Sequence, residues 1–313
     1  MNTTRRGFIA GAASMVITTL LPRVGNGMGS GAENKTTLTT ITAVDTHAHI
    51  FKRGLKLAEI RRYVPDYDAP LDAYMRNLDA NGISNGVLIQ PSFLGTDNSY
   101  LLDAMKKQPN RLRGIAVVQP NISKEALVML DKEGIVGIRL NLVGAPIPDF
   151  KDDPWPTLLK NVADLGWQVE VQRTAHDLPA IVDALLKSGV NVVVDHFGLP
   201  DQRRGVADPG FRSLLSTAAA SRRVWLKLSG MYRVGPGSTG EAITNAAMPL
   251  LRESFGVERL VWGSDWPHTQ FEKIADYAKS RMQLDIWLPD PAERKIILVD
   301  TPVRLFRFNA KSG

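Results

Sequence analysis

The sequence predicts an α/β fold of the closed (β/α)8 barrel type, in one domain. Three observations carry that expectation. Short β-branched runs alternate with longer amphipathic stretches after residue 40, and the alternation repeats eight times. No glycine-rich dinucleotide or phosphate-loop fingerprint follows any of the runs, which disfavours an open doubly wound sheet. A length of 313 residues, with 44% hydrophobic and 22% charged side chains, suits a single unit of this kind.

The strands are expected at Thr42–His47, Gly86–Gln90, Gly114–Val118, Val136–Leu140, Trp167–Val171, Asn191–Asp195, Val224–Leu228 and Leu260–Gly263. All but the first, which has only Val44, are short runs rich in Val, Ile or Leu, as strands covered on both faces require. Helical spacing of apolar residues marks Leu71–Asn81, Ser99–Gln108, Lys124–Glu133, Trp155–Leu165, Leu178–Ser188, Phe211–Ala220, Glu241–Glu253 and Phe271–Arg281. A last helix near Ala292–Leu298 and a tail, Val303–Phe308, close the chain.

Residues 1–32 read differently from the rest. Arg5 and Arg6 precede an apolar stretch reaching Leu21, and Ser30-Gly31-Ala32 offers a small-x-small cleavage point. This pattern resembles a twin-arginine (Tat) signal, which implies periplasmic export of a folded protein, with a cytoplasmic location as the alternative. The apolar run is too short to span a bilayer, so no stable membrane span is expected in the mature chain. Residues 33–313 are then the barrel.

Composition removes several chemistries. The chain has no cysteine, which excludes disulfides, thiolate metal sites and cysteine nucleophiles. Its formal charge of +6 is half located in the arginines of the first 32 residues, and no basic run interleaved with aromatics follows. Nucleic acid is therefore not an expected partner.

In a (β/α)8 barrel the chemistry collects at the C-terminal ends of the strands. His47 and His49 end the first run, and residues two apart on a strand share a face, about 6–7 Å apart. Gln90 and the Ser92 loop follow the second, Arg139 and Asn141 the fourth, Glu170 and Gln172 the fifth. Asp195 and His196 end the sixth run. Ser229, Tyr232 and Arg233 follow the seventh, and Ser264, Asp265 and His268 the eighth. Four of the five histidines thus fall on one rim.

Four of these segments carry a resemblance: His47-x-His49, Val194-Asp195-His196-Phe197-Gly198, Lys227 to Arg233 (KLSGMYR), and Trp262 to His268 (WGSDWPH). Together they resemble the amidohydrolase superfamily, and within it the branch of 2-pyrone-4,6-dicarboxylate lactonase. The resemblance covers the chain after residue 40. It departs at the fifth strand, where metal-dependent members place a further histidine and this chain reads Glu170-Val171-Gln172. His176 comes later and is expected to begin the next helix. The resemblance therefore implies either one ion, such as Zn²⁺, or catalysis without metal.

Lactone hydrolysis needs a water, a base and positive charge where the oxyanion forms. Asp265 is the expected base. His47, His49 and His196 would bind one Zn²⁺ together with Asp265, or donate hydrogen bonds to the carbonyl. Arg139 and Arg233 present forks matched to carboxylate or sulfonate oxygens, and Ser92, Asn98 and His268 are further substrate-contact candidates. The expected function is hydrolysis of a small anionic lactone from aromatic degradation. A sugar-lactone hydrolase or isomerase, a metal-dependent decarboxylase and a non-catalytic periplasmic binder are the rivals. The sequence specifies no oligomeric state.

Overall fold

The computed structural model describes residues 40–308, so the targeting segment expected at residues 1–32 lies outside the described residues. Eight strands run in chain order: β1 (Val44–Ala48), β2 (Asn85–Ile89), β3 (Leu112–Ala116), β4 (Ile135–Asn141), β5 (Gln168–Gln172), β6 (Asn191–Val194), β7 (Val224–Leu228) and β8 (Leu260–Trp262). Each pairs in parallel with the next. The sheet closes where the chain just beyond β8 meets β1. There the Asp265 amide donates to the His47 carbonyl (2.8 Å) and the His49 amide to the Trp266 carbonyl (2.7 Å). The expected (β/α)8 barrel is the observed one.

The wall comprises α1 (Leu71–Ala80), α2 (Ser99–Lys107), α3 (Lys124–Lys132), α4 (Trp155–Asp164), α5 (Leu178–Lys187), α6 (Pro209–Ala220), a short α7 (Met231–Val234), α8 (Ser238–Phe255) and α9 (Tyr277–Trp287). Seven wall helices follow the expected spans to within a few residues. The helix expected from Phe271 begins six residues later. Asp276 caps it by accepting from the Lys279 amide, and Phe271–Ala275 is used up in tight turns. At the end, α10 (Pro291–Lys295) and α11 (Thr301–Leu305) are joined by a π-helical turn, Ile296–Asp300.

The barrel interior is layered. Its floor is apolar: Val44, Val87, Ile115, Val136, Val193 and Val261 pack against Leu305, Phe306 and Phe308, so the C-terminal segment plugs the end away from the rim. Above the floor the lining turns polar, with Glu170, Lys227, Asp195 and Arg139 all buried. Charges are tolerated there only because they pair with one another. The outer faces of the strands, including Leu88, Val169, Val171, Leu226 and Leu228, bury against the helices.

Candidate active site

β1 supplies the first two histidines through an irregularity. Asp45 contacts Tyr74 of α1 and Tyr277 of α9 on the outside, yet His47, two residues on, meets Lys227 of β7. A regular strand would put both on one face. The β1–β2 register shifts between Asp45 and Ala48, and this bulge re-aims His47. His47 and His49 end with ring centroids 5.0 Å apart, edge to face. Asp45 holds the arrangement: its carboxylate accepts from the Ser264 amide (2.8 Å), the Ser264 hydroxyl (2.6 Å), the His47 amide (3.1 Å) and the Tyr277 hydroxyl (3.0 Å). Burial raises its pKa, against those four donors.

Asp265 and His196 both sit at positive φ, 61° and 51°, in the left-handed region that non-glycine residues seldom occupy. Gly230, at φ 60°, lies under both. A Cβ there would fall 3.0 Å from His196 Nδ1 and 3.2 Å from Asp265 Oδ2. Gly263 has the same role against β1, because a Cβ would lie 2.5 Å from that of His47.

The two oxygens of Asp265 differ. Oδ2 accepts from the Tyr232 hydroxyl (2.7 Å) and from Arg233 Nε (2.5 Å). Oδ1 is buried without a hydrogen-bond partner, 3.8 Å from His47 Nε2 and 3.9 Å from His49 Nε2. Burial pushes this carboxyl up. Arg233, then the neighbouring histidines, outweigh burial and hold it well below the usual carboxylate range. The histidines move down too. Burial, then Arg139, takes His49 to about 3, and burial takes His196 to about 4. Burial, then Lys227, puts His47 well below its ordinary value. At neutral pH the centre is one carboxylate among neutral imidazoles.

Beneath it lies the charged layer. Lys227 Nζ is 2.7 Å from Glu170 Oε2, 3.5 Å from Asp195 Oδ1 and 3.1 Å from His47 Nδ1. Asp195 Oδ2 accepts from Arg139, whose Nη2 also donates to Gln172 Oε1 at 2.7 Å.

His49, Arg62, Tyr63, Ser92, Arg139, Asn141, Gln172, His196, Arg233 and Asp265 enclose a cavity of about 20 Å³. Arg139 and Arg233 each spend Nε and Nη2 on protein partners, and among the described residues Nη1 of each has none. Arg62, exposed beside Tyr63, has no hydrogen-bond partner among the described residues.

The structure therefore brings His47, His49, His196, Asp265, Arg139, Arg233 and Ser92 together. It does not bring Asn98, whose amide is spent on the Thr96 and Val117 carbonyls and on the Val117 amide. His268 stands one step back: its Nδ1 meets the Tyr232 hydroxyl (2.9 Å), which in turn holds Asp265. His176 is exposed in the turn before α5. As for a metal, His47, His196 and Asp265 offer ligand atoms within 4.8 Å of one another, and His47 Nε2 and Asp265 Oδ1 are orphaned. In residue type and spacing they fit a divalent ion.

The residues that sequence reasoning left without a role are Asp45 and Tyr232. Tyr232 stands next to Arg233 in the KLSGMYR motif, which is the signal that could have flagged it. Asp45 had a weaker one: an acid inside a short strand directly after an apolar run must have partners.

The family model described as amidohydrolase matches residues 44–308, from the first strand to the barrel floor. The chain belongs to the amidohydrolase family. A 4-sulfomuconolactone hydrolase from Hydrogenophaga intermedia is 30% identical to this amidohydrolase over 282 residues, covering 86% of this chain and 90% of that protein. A 2-pyrone-4,6-dicarboxylate hydrolase from Comamonas testosteroni is 31% identical over 280 residues, covering 84% and 90%. Among solved structures, one from Acinetobacter baumannii is described as a probable 2-pyrone-4,6-dicarboxylic acid hydrolase with citric acid bound. It is 38% identical to this amidohydrolase and superposes with a TM-score of 0.82, covering 85% of this chain and 99% of that one.

Proposed function

We propose that this amidohydrolase opens a small lactone carrying two acid groups, of the pyrone-dicarboxylate or sulfomuconolactone type, in the breakdown of aromatic compounds. One observation carries the reading: a buried carboxylate with one bare oxygen faces three neutral imidazoles beneath three arginines that keep free donors. The relatives' named substrates are anionic lactones, which matches that charge pattern. Citric acid in the Acinetobacter structure is itself a polycarboxylate.

Each residue has a role in this reading. His49 Nδ1 lies 2.8 Å from the Ile89 carbonyl, so Nδ1 carries the proton and Nε2 is a bare acceptor. A water placed between His49 Nε2 and Asp265 Oδ1 gives one hydrogen to each. Asp265 takes its proton as the water oxygen attacks the lactone carbonyl carbon. His47 and His196 stabilise the oxygen that gains charge. The tetrahedral intermediate collapses with cleavage of the ring C–O bond, and the proton on Asp265 passes to the departing oxygen. Arg62, Arg139 and Arg233 bind the acid groups, and Ser92 adds a hydroxyl at the cavity edge. An ion held by His47, His196 and Asp265 would need His47 Nε2 without a proton, and would then supply Lewis-acid polarisation of the carbonyl in place of a donated hydrogen bond.

The test is a panel of 2-pyrone-4,6-dicarboxylate, a sulfomuconolactone and neutral sugar lactones, with metal content measured on the same preparation. Turnover confined to the anionic members supports the reading, and turnover of sugar lactones alone refutes it. Export through the Arg5–Arg6 signal is part of the same proposal. Periplasmic recovery that is lost when both arginines become lysine would support it.

A further inference from the structure

Lys227 is the one buried cation of the barrel lining that the proposed chemistry leaves unused. Its ammonium has three N–H donors. Three groups surround it: the contact with His47 Nδ1 at 3.1 Å has hydrogen-bond geometry, while Glu170 Oε2 at 2.7 Å and Asp195 Oδ1 at 3.5 Å are ion-pair contacts without it. His47 Nδ1 also lies 3.3 Å from Asp195 Oδ1, so two partners compete for one nitrogen. They demand opposite tautomers. A bond from Lys227 needs a bare Nδ1 and leaves the proton on Nε2, whereas a bond to Asp195 needs a proton on Nδ1.

The geometry decides between them. The contact with Lys227 has hydrogen-bond geometry, and Asp195 Oδ1 has no hydrogen-bond partner. Since Lys227 is fully buried and fixed between two carboxylates, it cannot leave for solvent. We infer that Lys227 is a positioning residue that locks His47 in the Nε2–H tautomer, making the nitrogen on the Asp265 side of the ring a hydrogen-bond donor rather than a metal ligand. Glu170 and Asp195 hold the ammonium in place for that purpose. The inference rests on the proposed lactone chemistry for its consequence, though not for its geometry. A donor is needed where the oxyanion forms, and a ring nitrogen that already carries a proton has no lone pair for an ion.

The test reads the tautomer directly. The protein is labelled with ¹⁵N-histidine, and the His47 signals among five histidines are identified by their loss in His47→Gln. In the substrate-free wild type, His47 Nε2 is expected to show a protonated nitrogen and Nδ1 a bare one. A protonated Nδ1 overturns the inference without touching the lactonase reading. In Lys227→Met the proton is expected to move to Nδ1, facing Asp195, and an unchanged His47 spectrum overturns the role of Lys227. The same variant is expected to lose about 100-fold in kcat with KM held within about threefold, as removal of one preorganised donor does. A flipped tautomer with unchanged kcat overturns the positioning role. Should Lys227→Met not fold, Glu170→Gln/Lys227→Met removes the buried charge pair and takes its place in each measurement.

Discussion

Replacing Asp265 by Asn separates the chemistry from the binding. The amide keeps the size of the side chain and can still accept from Tyr232 and Arg233, and the backbone bond from residue 265 to His47 is untouched. What disappears is the bare carboxylate oxygen Oδ1, which lies 3.8 Å from His47 Nε2 and 3.9 Å from His49 Nε2. Loss of a positioned general base typically removes about 10²–10⁴ in rate. KM is expected to stay level or to fall, because Arg233 gives up its charge partner and becomes freer to meet a substrate acid group. Breaking a buried ion pair costs about 3–5 kcal/mol. The Arg233 side chain keeps 16% exposure, so about 2 kcal/mol is expected here. Initial rates over a range of pyrone-dicarboxylate concentrations, with urea unfolding of the same samples, read both quantities. A kcat within tenfold of wild type would refute Asp265 as the base, and a loss confined to KM would make it a binding residue.

Other expectations follow from the same geometry. His49 and His196 have folded pKa values of about 3 and 4 against 6.5 unfolded, so below pH 6.5 the unfolded chain takes up protons that the folded one refuses. Stability should fall by about 2 kcal/mol per histidine between pH 6.5 and 5, and urea midpoints unchanged between pH 7 and 5 would contradict the burial argument. Asp45→Asn turns an acceptor of several bonds into a group with two donors of its own. It should cost about 2–3 kcal/mol, read by thermal unfolding, and lower kcat through the shifted Ser264–Asp265 segment. Gly263→Ala places a methyl 2.5 Å from the His47 Cβ and should cost about 3 kcal/mol, with a soluble, fully active variant as the contrary result. Dialysis against a chelator should leave turnover unchanged, and activity lost there and restored by zinc would contradict a donor role for His47.

The barrel was legible in the sequence because its causes are local. Alternating β-branched runs and amphipathic stretches need no knowledge of which strand neighbours which. The rim residues were legible for the same reason, since strand ends can be read from the runs. Asn98 shows where that logic fails: a polar residue in a rim loop can be consumed by the loop's own backbone, as the Thr96 and Val117 bonds consume this one. The double use of the arginines was also out of reach. Arg139 and Arg233 were expected at the mouth, but their pairing with Asp195 and Asp265 joins residues 56 and 32 positions apart. The bulge at Asp45–Ala48 is written in no composition or period. It arises where β1 must meet both β2 and the segment after β8. A regular pleat would have placed His47 beside Asp45, outside the barrel.

The apolar floor has a consequence for how such a molecule comes into being. Val44, at the start of the barrel, is sealed by Leu305, Phe306 and Phe308, among the last described residues to leave the ribosome. A growing chain can stack its βα units one after another, but the pit at their centre stays wet until those side chains arrive. Capture of Asp265 by His47 likewise joins the first strand to the segment after the last. Catalytic competence should therefore appear abruptly once residues 305–308 have emerged, with no partly active intermediate, and chains stalled before residue 300 should be clients for chaperones and proteases rather than slow enzymes.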